Sequence, residues 1–266
     1  MKLLNIDGNP KSIKGQKRGY MTAILYLSPW KSAGANLCAM AELAGCFAGC
    51  LNQAGHGGMA KAGATIAPYG VELADNNVQR ARIRRSRLFI EDRDALMLQL
   101  HMEVWKFVKK AKRARLIPVA RPNGTSDIQW EKIKYRARCA DGVYRTQTIF
   151  DHFPDLQFYD YTKIAKRFER KQPDNYYLCL SYSNANPVYA LRCQTAHRDH
   201  GASLVFVVRS EADKLAAAER YGESYVDGDE NDLRFLDPPG AHVFLRAKGP
   251  AKNDRSGFVV NVNDLQ

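Results

Sequence analysis

No apolar run in this 266-residue chain approaches the roughly 18 to 20 residues needed to cross a bilayer. The basic N-terminus is not followed by the apolar core and cleavage site of a secretory signal. These two absences predict a cytoplasmic protein without a membrane partner. The chain also lacks a Walker A sequence and a G-x-S-x-G elbow, which removes motif support for nucleoside triphosphatase and serine-hydrolase chemistry. It has no solenoid-type repeat and no low-complexity linker to mark a domain boundary.

Charge, by contrast, is plentiful and unbalanced, with 40 Lys and Arg against 28 Asp and Glu and a net charge of +12. Such a surface suits a polyanion such as nucleic acid through salt-sensitive attraction, although a solvated basic face produces the same totals. Six cysteines are present, and Cys38, Cys46 and Cys50 fall together in "CAMAELAGCFAGC". In a reducing compartment clustered thiols point to a metal or redox role rather than to disulfides. Cys139, Cys179 and Cys193 are scattered.

Residues 1–18 are polar and basic and predict an arm or loop ahead of a single α/β domain over 19–266. "YMTAILYLSP", residues 20–29, reads as a buried strand stopped by proline. A helical period runs from Asn77 to Arg115, broken near Glu91 and Asp92. Beyond it, apolar runs at 115–127, 156–163, 176–183, 203–208, 223–235 and 242–249 alternate with helix-like or loop segments. The clearest of these has Ser210 as N-cap, Asp213 three residues on and Gly222 at its end. About seven β-then-α units predict a single (β/α) barrel or partial barrel of six to eight mostly parallel strands, with the cysteine loop after the first strand.

In such a barrel the catalytic groups lie at the C-terminal strand ends, where the βα loops open onto one face. The runs do end in polar residues: Arg121, Asn123, Ser126 and Asp127; Asp160, Thr162 and Lys163; Ser181 and Ser183; Asp227, Asp229 and Asp232; Arg246 and Lys248. All of these except Ser126, Thr162 and Ser183 are the candidate substrate-binding residues, although tight-turn chemistry explains part of the pattern in "NGTSD" and "DGDEND". Asp227, Asp229 and Asp232 also suggest a divalent cation, but their spacing lacks the remaining ligands of a calcium loop.

The cysteine spacing, C-x7-C-x3-C, admits three readings. Zinc requires a fourth ligand, from His56 or from one of the three distant cysteines. Packing alone also accommodates small cysteines in an alanine-rich segment. A four-iron, four-sulfur cluster held by three thiolates fits better, because it leaves one iron open to a small-molecule ligand. The layout is similar to that of radical S-adenosylmethionine enzymes, in which a three-cysteine loop follows the first strand of a full or partial barrel and the cofactor chelates the open iron. The spacing departs from their usual C-x3-C-x2-C.

Long blocks of the chain, "KGQKRGYMTAILYLSP", "RARIRRSRLFIEDRDALMLQL", "RPNGTSDI", "FPDLQFYDYTK", "VDGDENDLRFLDPPGAHVFLRAKGPA" and "SGFVV", together with the cysteine segment, resemble the phage-encoded gene 88 protein family. The resemblance implies a viral source and residence in the host cytoplasm, and carries no settled activity. The expectation is an iron–sulfur protein, with S-adenosylmethionine as one candidate ligand of the open iron. Two rivals stand beside it: a non-catalytic iron–sulfur or zinc protein that binds nucleic acid or a host protein, and a barrel enzyme that modifies bases or nucleosides without radicals. Nucleic-acid binding through the Arg80 to Arg87 run would favour the rivals, although that run also reads as a solvated helix face.

Overall fold

The computed structural model describes residues 1–6, 8, 10–60, 63–139 and 141–265. Its elements, in chain order, are β1 (Leu4–Ile6), α1 (Pro10–Gln16), β2 (Tyr20–Leu25), β3 (Thr65–Ile66), β4 (Leu73–Ala74), α2 (Asn77–Glu91), α3 (Arg93–Arg113) and β5 (Ile117–Arg121). There follow β6 (Tyr135–Arg138), β7 (Tyr144–Gln147), α4 (Ile149–His152), β8 (Gln157–Thr162), β9 (Tyr176–Ser181), α5 (Pro187–His200) and β10 (Ser203–Val208). The last are α6 (Glu211–Tyr221), β11 (Tyr225–Asp227), β12 (His242–Arg246) and β13 (Val259–Val260).

Nine strands form one sheet in the order β1-β2-β5-β8-β9-β10-β12-β11, and β13 also pairs with β10. Only β1 runs antiparallel, with Leu4 opposite Leu25. Two small antiparallel hairpins, β3–β4 and β6–β7, stand apart from it. The apolar runs read from the sequence become strands because each buries both faces of a parallel sheet, as in "SLVFVV", where five of six residues are buried. The break in the long helical stretch is also present: the Asp92 carboxylate accepts from the Ala95 N–H and starts α3.

The expected barrel is not closed. Among the described residues β1 and β11 are unpaired edges of an open, mostly parallel α/β sheet. Two features account for this. Leu4–Ile6 and Pro10–Gln16, within the stretch expected to be an arm or loop, form β1 and α1, and β1 occupies the edge of β2 that a closing strand would have used. The connection between β11 and β12 then covers one sheet face, where Leu233 packs with Val119 and Tyr159 and Phe235 meets Tyr20 edge-on at 5.5 Å.

Strand alternation sends the other side chains to the opposite face. There Met21, Ala23, Leu25, Ala120, Phe158, Tyr176 and Leu178 meet α3 through Leu96, Met97, Leu100, Val104 and Phe107. Leu180, Leu204, Phe206 and Phe244 continue this face beneath α5 and α6. Each such large side chain contributes about 1.5–3 kcal/mol when fully buried. The helices on this face hold the strands rigidly, and the C-terminal ends of β5, β8 and β9 then form a fixed floor for the cysteine loop.

Candidate functional site

The segment from Cys38 to Cys50 is a succession of turns rather than a helix. Ala41 N–H donates to Cys38 O at 3.1 Å, Ala44 to Met40 at 2.9 Å and Cys50 to Phe47 at 3.2 Å. Gly45 has φ +62, and a Cβ there would lie 2.7 Å from Ala185 Cβ and 2.7 Å from Ser256 Oγ, so glycine is required twice over. The loop is fastened to the strand ends. Asp127 N–H donates to Leu37 O at 2.9 Å, Thr125 Oγ1 to Leu27 O at 2.5 Å, and Ser183 Oγ to Ala44 O at 2.7 Å.

All three thiols of the loop are free and half-buried. Cys38 Sγ points to Thr125 O at 3.9 Å, Cys46 Sγ to Ala41 O at 3.8 Å, and Cys50 Sγ accepts from Asn52 N–H at 3.4 Å. Burial raises the pKa of each. For Cys38 it does so strongly, and the charges of Cys50, Asp127 and Cys46 add to it. Burial pushes Cys50 up to about 11, with Cys46 adding and Arg82 opposing. Cys46 is raised by burial against the opposing charge of Lys163. The thiols therefore lie within one another's electrostatic reach, and two cations face them.

Of the expected substrate-binding residues, Asp127 and Lys163 join the thiols. Asp127 accepts from Thr162 Oγ1 at 2.8 Å and from Lys163 N–H at 2.7 Å, and burial raises its pKa despite Arg167. Lys163 Nζ donates to Tyr182 O at 3.2 Å and lies 4.7 Å above the Phe258 ring. Burial lowers its pKa, and the charges of Cys46, Cys193 and Asp127 oppose that shift.

Arg121, Asn123, Asp160 and Asp232 form a second, buried network. Arg121 Nη1 lies 2.7 Å from Asp232 Oδ2, and Asp160 accepts from Asn123 N–H at 2.9 Å and from Tyr176 OH at 2.9 Å. Burial pushes Asp160 up to about 7, with Arg121 opposing. Arg167 joins the two networks, donating to Tyr176 OH at 3.1 Å and approaching Asp127 at 3.5 Å. Ser126 Oγ donates to Asn123 Oδ1 at 2.9 Å.

The remaining candidates lie elsewhere. Asp227 pairs with Lys214 at 2.7 Å, and Asp229 with Lys248 at 2.8 Å and Lys11 at 3.3 Å. Arg246 N–H donates to Asp229 Oδ2 at 2.8 Å. Asp227 and Asp229 thus share Lys214, at 2.7 and 3.9 Å, while Asp232 serves Arg121, and the three carboxylates expected to share a cation form no such group among the described residues. Ser181 offers its carbonyl, which accepts from Tyr189 OH at 2.7 Å.

Two further contributors, Cys193 and Arg82, entered the sequence reading only as one candidate fourth zinc ligand and as part of a basic run. Cys193 faces Lys163 and Tyr189 from α5. Arg82, in the run read as a solvated face, is buried and donates to Asn52 Oδ1 at 2.7 Å. Its spacing with Gln79, Ser86 and Phe89, the other buried residues of α2, was the available signal. The neighbouring Arg80 and Arg87 pair with Asp75 and Glu91, and Arg85 donates to Lys2 O and Tyr26 O.

Among the described residues no group of three or more His, Cys, Asp or Glu side chains is placed to hold a metal ion. A single zinc ion needs its thiolates converging at about 2.3 Å, and the loop does not present that arrangement. A cubane makes a different demand, because its three cysteines bind three separate irons. The donor set, three soft thiols with Lys163 and Arg82 to offset thiolate charge, suits it chemically.

Fold and loop together define an α/β protein with an open, mostly parallel sheet and a thiol-bearing loop at its strand ends. The profile of the family Gene product 88 matches residues 1–262, and the chain belongs to that family. This agrees with the resemblance carried by its long sequence blocks. No curated protein and no solved structure matches the chain. The radical S-adenosylmethionine layout rested on a barrel, and with the sheet open that likeness has no structural support. No helix of the described residues is long and apolar enough to cross a membrane.

Proposed function

We propose that this protein holds a four-iron, four-sulfur cluster through Cys38, Cys46 and Cys50, with one iron open to a small-molecule ligand. One observation carries the reading: a single turn-rich loop holds three unpaired thiols, Cys38 against Thr125 beyond β5, Cys46 facing the buried Lys163 beyond β8, and Cys50 facing Cys46 and the buried Arg82. Soft thiolates favour such clusters, and three ligands leave the fourth iron free. When bound, the cluster supplies a Lewis-acidic iron and one-electron redox capacity at this site.

The chain's own groups set the surroundings. Lys163 and Arg82 offset the negative charge of the thiolates, and Asp127 fixes the backbone of Lys163 by accepting its N–H. Asp127, whose pKa burial raises, is the carboxyl group that faces Cys38 and Cys46. The test is anaerobic reconstitution with iron and sulfide, followed by visible absorption and electron paramagnetic resonance of the reduced protein. The reading predicts a brown protein and a cluster signal that a small amine or carboxylate ligand perturbs. A colourless protein, or a spectrum of fully ligated iron indifferent to every such ligand, contradicts it.

A further inference from the structure

Hairpin β6–β7 and helix α4 carry a second thiol site on elements separate from the cysteine loop. Cys139, at the end of β6, is half-buried, whereas Cys179 and Cys193 are buried. Its Sγ lies 3.6 Å from His152 Nδ1. His152 Nε2 lies 3.3 Å from Tyr135 O, which assigns the imidazole proton to Nε2, as donor to that carbonyl, and leaves the Nδ1 lone pair to accept from the Cys139 thiol and from Gln147 Nε2 at 3.5 Å. The ring is held in place by Tyr135 at 4.6 Å and His101 at 5.1 Å between centroids. Burial lowers the pKa of His152, so the neutral, proton-accepting form is the resident one.

One donor and one cation act on the same sulfur. Gln147 Nε2 lies 3.9 Å from it, and the positive charge of Arg145 lies within electrostatic reach of it. Arg145 is itself oriented by Asp141 through contacts of 2.9 and 2.6 Å. A thiol, a base oriented by a third group, a donor on the sulfur and a nearby cation make up the constellation that activates a nucleophilic cysteine. A cysteine that merely packs in a hairpin has no need of these partners.

We propose that Cys139 is a reactive thiol, with His152 as its base, that takes up low-molecular-weight disulfides by thiol–disulfide exchange. The Cys139 proton passes to His152 Nδ1 and the thiolate attacks one sulfur of the disulfide. That S–S bond breaks, a mixed disulfide forms on Cys139, and the departing thiolate takes the proton from His152. One sulfur of the small disulfide is reduced to a thiol as Cys139 is oxidised, so the exchange needs no other oxidant.

The probe is oxidised glutathione, applied in limiting amount at neutral pH to the full chain, with adducts located over time by peptide mass spectrometry. Cys139 is expected to be modified first, and faster than the same cysteine in the urea-unfolded chain. His152→Gln and Arg145→Ala are each expected to slow it by about tenfold. Arg145 is 44% exposed, so its variant keeps the test decisive if the buried His152 variant does not fold. Reaction at Cys139 no faster than in the unfolded chain, or a rate unchanged by Arg145→Ala, overturns the proposal.

Discussion

The Arg121 guanidinium lies 2.7 Å from the Asp232 carboxylate, across 111 residues of sequence. Tyr161 OH donates to the second oxygen of Asp232 at 2.8 Å. Burial opposes ionisation of Asp232, but Arg121, Lys11 and Arg234 outweigh it and hold its pKa below the usual range. The pair fastens the β11–β12 connection to the end of β5. Asp232→Asn takes the nearer of two carboxylates from the buried Arg121 and leaves Asp160 at 3.7 Å, so it is expected to cost about 3 kcal/mol, the lower end for a broken buried pair. Urea unfolding measures it, and a loss within about 0.5 kcal/mol would mean that the pair does not fasten this segment.

Gly45→Ala tests the loop itself. The positive φ and the close approach of Ala185 and Ser256 predict a loss of about 1–3 kcal/mol, again by urea unfolding, together with weaker iron retention. A variant with wild-type stability would show that the turn at Gly45 is not constrained as described.

Lys163 is the cation facing Cys46. Lys163→Met removes that positive charge, and a bound cluster is then expected to be harder to reduce. Potentiometric titration followed by electron paramagnetic resonance reads the midpoint. A midpoint that is unchanged or raised argues against an electrostatic role for Lys163.

Acid sensitivity has a specific source in His242. Burial, with a smaller contribution from His197, holds its pKa down at about 4 against an ordinary 6.5. Between those values the unfolded chain takes up a proton that the folded chain does not, so its stabilising contribution is complete above 6.5 and lost as pH falls toward 4. Melting temperature measured across this interval is expected to fall more steeply for wild type than for His242→Gln. Parallel curves would assign the acid sensitivity to other groups.

Strand positions were legible because runs such as "YYLCLS" and "SLVFVV" bury both faces, and Ser210, Asp213 and Gly222 bound α6 as their cap chemistry dictates. Barrel closure was not legible. It depended on where Leu4–Ile6 paired and on how Leu233 and Phe235 crossed the sheet, both long-range matters that periodicity does not encode. The hairpin at Tyr135–Arg138 was hidden because its alternation buries only Tyr135 and Ala137 between exposed arginines. Of the residues named from the sequence, Asp127 and Lys163 lie beside the thiols. Arg82 and Cys193 were not placed there: helical spacing marks Gln79, Arg82, Ser86 and Phe89 as one face of α2, but what that face meets, and what Cys193 of α5 faces, are long-range matters.

Anaerobic quantification of iron and acid-labile sulfide, in wild type beside the Cys38→Ala, Cys46→Ala, Cys50→Ala triple variant, bears most directly on the cluster. Wild type is expected to hold about four irons and four sulfides per chain and the triple variant almost none. Wild type carrying a single zinc, or iron retained in full by the triple variant, would contradict it.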